Sequence, residues 1–262
     1  MGETARADHL GLNGYARDTT PRLAREDVVS LRNVWSCGTN TAASVPCMFS
    51  GFSRPEFTNA KAEARENLLD VLMRAKVDVL WRDNQAGCKG VCNRVPSEQL
   101  NGRGSGSENL QKFDEVLLDG LDSRIANLKR DTVIVLHMMG SHGPAYWKRY
   151  PPAFEAFKPT CKYSQFNHCS NDEIVNAYDN TILYTDHVLA ELIAKLDAAS
   201  KRGVDTGMLY VSDHGESLGE HNIYLHGMPY ALAPKAQIHV PIVVWLSAGL
   251  REDNGIKAGC LE

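Results

Sequence analysis

Four short runs rich in β-branched residues do most to limit what this chain can fold into: VDVLW (77–81), DTVIVLHMM (131–139), GMLYVS (207–212) and HVPIVVWL (239–246). Near-continuous hydrophobicity without alternation marks strands buried on both faces, the habit of parallel sheets. Between the runs, KAEARENLLDVLMRAK (61–76), FDEVLLDGLDSRIANL (113–128) and NDEIVNAYDNTILYTDHVLAELIAKLDAAS (171–200) repeat apolar positions at helical spacing. Asn171 or Asp172 is placed to cap the last of these, and Gly203 punctuates its end. Strands alternating with helices predict a doubly wound α/β sheet. A length of 262 residues suffices for one large α/β domain or two small ones.

Composition removes several function classes. Hydrophobic content of 43% with 23% charged residues is ordinary for a soluble globular chain. A net charge of −4, with no Lys/Arg block, argues against a nucleic-acid partner. No apolar run is long enough to cross a membrane and the start carries no signal peptide; Met1 directly before GETARADH suits an excised soluble domain. Six of seven cysteines fall into close pairs, Cys37 with Cys47, Cys88 with Cys92 and Cys161 with Cys169, leaving Cys260 over. A zinc knuckle built on CKGVC needs a second pair at matching spacing, and none lies nearby. The pairs therefore read as disulfides, which places the chain in an oxidising compartment such as the bacterial periplasm. NGRGSGSEN (101–109) has the composition of a flexible surface loop. The stretch 143–170, with its aromatics, four prolines and one cysteine pair, is too long for a simple connection. It is either a functional loop or a stapled surface excursion.

Chemistry concentrates where the strands end. In open α/β sheets the ligand crevice lies outside the carboxyl ends of the strands. Asp213 and His214 directly follow MLYVS, and His142 follows VIVLHMMGS, so two strands deliver polar groups to one edge. A carboxylate oxygen with an imidazole nitrogen is a zinc- or manganese-compatible pair, although a solvated Asp–His turn uses the same residues. TAASVPCMF after SCGTN can start a short helix with Thr41 in its first turn, where backbone N–H groups and the positive dipole end favour a phosphate. Thr39 and Thr41 can equally serve as helix caps.

Seven blocks, in order along nearly the whole chain, carry a resemblance: GETARADHLGLNGYARDTTP, SCGTNTAASVPCMF, WRDNQAGCKGVCNRVP, GSHGPAYWKRYP, NAYDNTILYTD, YVSDHGESLGE and YLHGMPYALAP. Together they resemble the periplasmic catalytic domain of the lipid A phosphoethanolamine transferases, intrinsic and mobile colistin-resistance enzymes alike. The resemblance implies an alkaline phosphatase/sulfatase-like α/β fold, with a largely parallel central sheet and helices on both faces. It makes residues 1–262 a soluble periplasmic catalytic domain, whose N-terminal membrane domain and extreme C-terminal segment lie outside this chain.

By the same resemblance, Glu3, Thr41, Asp213 and His214 hold one tight zinc ion, and a second, weaker zinc site is expected. Thr41 matches the nucleophile. His142 and His226 match catalytic histidines that contact phosphate, and Glu216 matches an acid of the same pocket. Lys89 matches a substrate-binding position, with Asn84 and Gln85 sharing a neighbouring amide position. The implied reaction moves phosphoethanolamine from phosphatidylethanolamine to Thr41 and then to a lipid A phosphate, conferring polymyxin and colistin resistance. The implied setting is a monomer at the periplasmic face of the inner membrane. Rival readings are a phosphatase of the same superfamily, a transferase acting on another envelope glycan such as the lipopolysaccharide core, and a non-catalytic zinc-binding domain. A sulfatase would show C-x-P-x-R where this chain has CGTNT.

Three departures from the resemblance stand out. Only Met1 precedes Gly2–Glu3–Thr4, which predicts weak anchoring of Glu3. NGRGSGSENLQK stands where related sequences carry another cysteine pair, and the chain stops at Glu262 before a final helical segment. His137, His168, Glu220 and His221 are read as structural or solvent-facing. Tyr178, Asp179 and Asp186 are read as helix residues that pack and make buried hydrogen bonds.

Overall fold

The computed structural model describes residues 1–101 and 112–256. In chain order its elements are β1 (Val28–Leu31), α1 (Thr41–Phe49), α2 (Asn59–Glu63), α3 (Leu68–Arg74), β2 (Asp78–Asp83), β3 (Ser97–Gln99), α4 (Leu121–Ala126) and β4 (Thr132–His137). They continue with α5 (Asn171–Ser200), β5 (Gly207–Val211), β6 (Ser217–Leu218), β7 (Tyr224–Leu225), α6 (Lys235–Ile238), β8 (Ile242–Leu246) and α7 (Ala248–Asp253). All four apolar runs became strands. The strands β1, β3, β6 and β7 escaped the sequence reading because two to four residues are too few to show a period.

Two three-stranded arrays form, β3-β2-β4 with parallel pairs and β1-β8-β5 with antiparallel pairs. Met1 and Gly2 close the seam between them. The Met1 nitrogen donates to Leu136 O at 2.7 Å. The Met138 N–H donates to Met1 O at 3.1 Å, Gly2 N–H to Val211 O at 2.8 Å, and Asp213 N–H to Gly2 O at 3.3 Å. These evenly stepped bonds are the parallel pattern on both sides. Gly2 is needed there: a Cβ would stand 2.3 Å from the Tyr210 hydroxyl. The combined sheet is therefore parallel except for β8, one of the runs read as parallel. The chain returns from β5 to β8 through the β6–β7 hairpin and four-residue α6, with no long crossover helix, and an antiparallel partner requires none.

Two predicted helices break. Over 61–76, the Asn67 side chain accepts from Leu69 and Asp70 N–H while Asp70 accepts from Asn67 N–H, a capping box that starts α3 afresh. Over 113–128, Gly120 in the left-handed region at φ 71° separates a 3₁₀ turn from α4. The long helix α5 fills 171–200, but its cap is Ser170, paired with Glu173 in a capping box, and neither Asn171 nor Asp172. Disulfides join Cys37–Cys47, Cys88–Cys92 and Cys161–Cys169. The last staples the 143–170 excursion, which sends Tyr146, Tyr150 and Cys161 into the core. Cys260, and NGRGSGSEN apart from Asn101, lie outside the described residues.

Helices cover both faces. On one, Ile174, Ile182 and Ile193 of α5 pack in a core with Met208, Tyr210, Val243 and Trp245. On the other, Val45 of α1 and Leu69 of α3 pack with Val79 and Trp81 of β2. Each fully buried aliphatic side chain contributes about 1.5–3 kcal/mol. β5 corrects the expectation of double burial, since Leu209 is 64% exposed between buried Met208 and Tyr210.

Candidate active site and metal centre

The carboxyl ends of the strands converge, as the open-sheet rule requires. Glu3 follows the Met1–Gly2 seam, Gln85 follows β2, and Asp213 and His214 follow β5. Glu3, Asp213 and His214 are fully buried and offer ligand atoms within 4.8 Å of one another. His214 Nε2 lies 3.2 Å from Glu3 Oε1 and 3.4 Å from Asp213 Oδ2. His214 Nδ1 donates to Gly215 O at 2.9 Å, which leaves Nε2 for the carboxylates. Gly215 permits this turn to press against α6, where a Cβ would meet Ala236 O at 2.1 Å. Asp213 Oδ1 accepts from Thr4 N–H at 3.2 Å and His214 N–H at 2.8 Å. Asp213 Oδ2 and His214 Nε2 have no hydrogen-bond partner although both are buried.

Orphaned buried polar atoms are costly unless something else satisfies them. Two carboxylates facing one imidazole form a donor set that suits a divalent cation. Electrostatics say the same. Burial works to raise the Glu3 pKa, yet the His214 imidazole beside it holds it well below the usual carboxylate range. Burial and the Glu3 charge push Asp213 up to about 6. Burial opposes a charged His214, but Asp213 and Glu3 outweigh it and raise the pKa to about 10. The surplus negative charge is balanced by a proton or by a cation.

Thr41 completes the cluster. The Asn40 side chain accepts from Ala43 N–H and caps α1, so Thr41 is its first helical residue. Neither threonine caps the helix; Thr39 Oγ1 instead donates to Met228 O at 2.7 Å. Thr41 Oγ1 stands 3.1 Å from each oxygen of Glu3. Glu3 also accepts from Gln85 Nε2 at 2.7 Å and Thr4 Oγ1 at 2.9 Å. Those bonds, with the seam, overturn the expectation that Glu3 is weakly anchored. Ser44, one turn into α1, donates to Asp213 O and ties the helix to the end of β5. The Cys37–Cys47 bridge fastens α1 to its incoming loop.

A second group borders the first. His226 Nδ1 lies 3.0 Å from Glu216 Oε2, and the His226 ring stands 4.3 Å from that of His214 and 5.8 Å from that of His142. His142 Nδ1 donates to Gly143 O at 2.8 Å. Burial raises the Glu216 pKa against the pull of His226, and burial lowers that of His142. Asn84 and Lys89 make their bonds elsewhere. Asn84 is fully buried, with its amide committed to Asp114 Oδ1 at 2.8 Å and Lys112 O at 3.1 Å. That leaves it no accessible donor for a substrate, and Gln85 alone of the amide pair reaches the cluster. Lys89 Nζ donates to Ala86 O in its own loop at 2.9 Å.

Several residues support the cluster from behind, Tyr178 and His137 in the structural roles the sequence suggested. Ser212 Oγ accepts from Ala5 N–H at 2.8 Å and donates to His214 O at 2.9 Å. The Tyr178 hydroxyl accepts from Arg6 N–H at 2.9 Å and donates to Thr4 O at 2.8 Å, clamping the segment after Glu3. His137 is fully buried with Nδ1 at 2.9 Å from Asp83 Oδ2, and Asp83 Oδ1 accepts from Gln85 N–H at 2.9 Å. His168 and His221 are exposed, and Glu220 pairs with Arg6. Asp179 bonds His9, Tyr15 and Arg17, and Asp186 accepts from Arg22 and Leu23 N–H, the buried bonding expected of that helix.

Comparison with known proteins agrees with this geometry. The sequence model of the sulfatase family matches residues 1–258. Phosphoethanolamine transferase EptA of Salmonella typhimurium is 47% identical over 265 residues, covering 100% of this chain and 48% of the relative. Phosphatidylethanolamine transferase Mcr-1 of Escherichia coli is 48% identical over 255 residues, covering 94% of this chain and 47% of the relative. The chain thus spans about half the length of the curated relatives it matches. Lipooligosaccharide phosphoethanolamine transferase A of Neisseria meningitidis, solved as an integral membrane protein and as its soluble domain, superposes with a TM-score of 0.94 at 45% identity in both forms. Both superpositions take in 99% of this chain, against 49% of the membrane protein and 78% of the soluble domain. Among the described residues no helix is long and apolar enough to cross a membrane. The chain belongs to the sulfatase family and, within it, to the phosphoethanolamine transferases.

Proposed function

We propose that residues 1–262 are the catalytic domain of a zinc-dependent transferase at the periplasmic face of the bacterial inner membrane, held there by a membrane domain outside this chain. It moves phosphoethanolamine from phosphatidylethanolamine to a lipid A phosphate by way of Thr41, and so confers polymyxin resistance. One observation carries the reading: Thr41 Oγ1, at the first position of a helix, lies 3.1 Å from both oxygens of a buried Glu3 beside the orphaned atoms of Asp213 and His214. A capping or packing threonine has no need of that company.

Glu3, Thr41, Asp213 and His214 would hold the tight zinc ion, with His142 available to a weaker second one. Bound zinc supplies a Lewis acid that lowers the pKa of the Thr41 hydroxyl and offsets phosphate charge. Thr41 Oγ1, its proton released to solvent, forms a bond to the donor phosphorus as the bond to the diacylglycerol oxygen breaks, leaving phosphoethanolamine on Thr41. The departing alkoxide takes a proton from His226 Nε2, while buried Glu216 holds Nδ1 and steadies the ring. His142 lacks a carboxylate partner for its Nδ1, and burial disfavours its charged form. In the second displacement a lipid A phosphate oxygen bonds to phosphorus and Thr41 is restored. The positive end of α1 favours the charge spread over the phosphoryl oxygens in both steps, and Lys89 adds a cation near the donor headgroup.

The test is a mass measurement. The zinc-loaded chain, given a phosphatidylethanolamine analogue, should gain one phosphoethanolamine on Thr41, and Thr41→Ala or a chelator should abolish the gain. Rapid hydrolysis of soluble phosphate esters without that adduct would make the protein a phosphatase instead.

A further inference from the structure

A second surface, next to the Thr41 loop, has a chemistry the transfer reaction does not use. Residues of two stretches that flank the site, 28–55 and 226–247, build it; between them they carry Arg32, Arg54 and Lys235, with the nearest acidic residues in sequence, Asp27 and Glu56, at the edges of the first. Two of the cations sit on aromatic rings, while Arg32 donates to Leu12 O at 3.2 Å. The Lys235 ammonium lies 5.8 Å from the Trp35 ring centre and the Arg54 guanidinium 3.3 Å from that of Tyr230. Trp35 is 48% exposed and Leu232, at the end of the 3₁₀ turn Tyr230–Leu232, is 72% exposed. Pro229 and Pro234 bracket that turn, so Leu232 is held outward with little chain entropy left to lose.

The surface is wired to the active-site loop. The Tyr230 hydroxyl donates to Ser36 O at 2.9 Å, and Thr39 Oγ1 donates to Met228 O at 2.7 Å, two residues before Thr41. Trp35 pairs with His239 across an isolated bridge. Whatever the patch rests on therefore sets the depth and tilt at which Thr41 is presented.

We propose that this patch is a membrane-contact surface that rests on an anionic phospholipid leaflet, with Trp35 and Leu232 entering the headgroup layer and Arg32, Arg54 and Lys235 facing lipid phosphates. Tryptophan and tyrosine with basic side chains are the composition that settles at a bilayer interface, and Arg32, Arg54 and Lys235 give it charge complementarity to anionic lipid. The inference deepens the transfer reading, on which it rests for the membrane as partner. It adds the residues that meet the lipid surface and fix the approach of Thr41.

Co-sedimentation of the chain with vesicles decides it. Vesicles of phosphatidylglycerol mixed into phosphatidylcholine should bind the chain, pure phosphatidylcholine much less, and added salt should weaken the binding. Leu232→Ser or Trp35→Ser should each weaken partitioning about tenfold, and Lys235→Ser about fivefold, with thermal midpoints unchanged because all three side chains are exposed. Equal binding to both vesicle types, or full binding by the Trp35→Ser/Leu232→Ser double variant, would overturn the proposal, as would no binding at all. Thr41→Ala should bind vesicles like the parent. A missing Thr41 adduct therefore sinks the transfer reading alone, and a missing lipid preference sinks this surface alone.

Discussion

Two of the molecule's carboxylate–histidine pairs have nearly the same geometry, Asp83–His137 at 2.9 Å and Glu216–His226 at 3.0 Å, each through Nδ1. Their surroundings differ. Asp83 also accepts from the Trp81 indole N–H and from the backbone of Gln85 and Gly87, and both members of its pair are buried. Its carboxyl is held down to about 2, since the bond and charge of His137, with Trp81 and Gly87, outweigh the burial that would raise it. Glu216 is equally buried but has fewer donors, so burial wins and its pKa rises. Its histidine is 19% exposed and touches the His214 ring. A carboxylate saturated with donors is a fixed anion. One bonded through a single reachable histidine can pass a proton outward. The same pair of residue types thus makes a pillar in one place and, in the transfer we propose, a proton relay in the other.

Removing the carboxylates should separate the two pairs most sharply. Asp83→Ala strands the Trp81, Gln85 and His137 donors in the interior, at about 1–3 kcal/mol for each buried group left unpaired. We expect a loss of about 3–5 kcal/mol of stability by urea unfolding, the range seen when a buried pair is broken. Glu216→Ala should cost far less, because His226 can turn to water; an equal cost would break the comparison. Function should invert the order. Glu216→Gln removes the negative charge behind His226 and should slow Thr41 adduct formation about 100-fold, the low end for a general acid, with the urea midpoint nearly unchanged.

Sequence made the relay legible and the pillar invisible. Glu216, His226, Asp213 and His214 stand in recognisable blocks at the end of a strongly apolar strand, and Thr41 opens a short helix that the sequence also marks. His137 reads as one more residue of an apolar run, and nothing local says that Asp83, fifty-four positions earlier, lies beside it in the parallel register of β2 and β4. The seam had the same cause. That Met1 and Gly2 join two arrays follows from pairing with residues more than one hundred positions away, and no periodicity encodes it. The direction of β8 was misread because composition reports burial and is silent on strand polarity. Local signals gave the helices' existence, while Gly120 and the Asn67–Asp70 box decided their lengths.

Acid titration of the metal-free fold should sharpen the contrast further. Asp83 binds its proton less readily folded than unfolded, so its contribution is present above the ordinary value of 3.8 and is lost as pH falls towards about 2. Glu216 behaves oppositely: its pKa is raised above the ordinary 4.5, so its contribution is complete below that value and fades as pH rises through the folded pKa. Urea midpoints measured from pH 2 to 8 should show Asp83→Asn flattening the limb below about pH 4. Glu216→Gln should leave that limb alone and flatten the slope above pH 4.5. Identical profiles for the two variants would show that the pairs do not differ as described.

The smallest expected effect tests whether the pillar reaches the metal centre. Asp83 Oδ1 holds the Gln85 backbone, and Gln85 Nε2 holds Glu3 Oε2 at 2.7 Å, so a chain of three bonds runs from His137 to Glu3, a ligand of the zinc site we propose. Partners that orient a ligand are worth about 10–100-fold in metal affinity. Thr4 Oγ1 shares the task at Glu3 Oε1, which puts Gln85→Leu at the low end, about tenfold weaker zinc binding by chelator competition. Lys89→Ala should leave zinc affinity untouched, since Lys89 bonds only its own loop, and should change only the donor dependence of adduct formation. If Gln85→Leu bound zinc as tightly as the parent while weakening donor use, Gln85 would be a substrate contact. Glu3 would then be held by Thr4, Thr41 and the Met1–Gly2 seam alone.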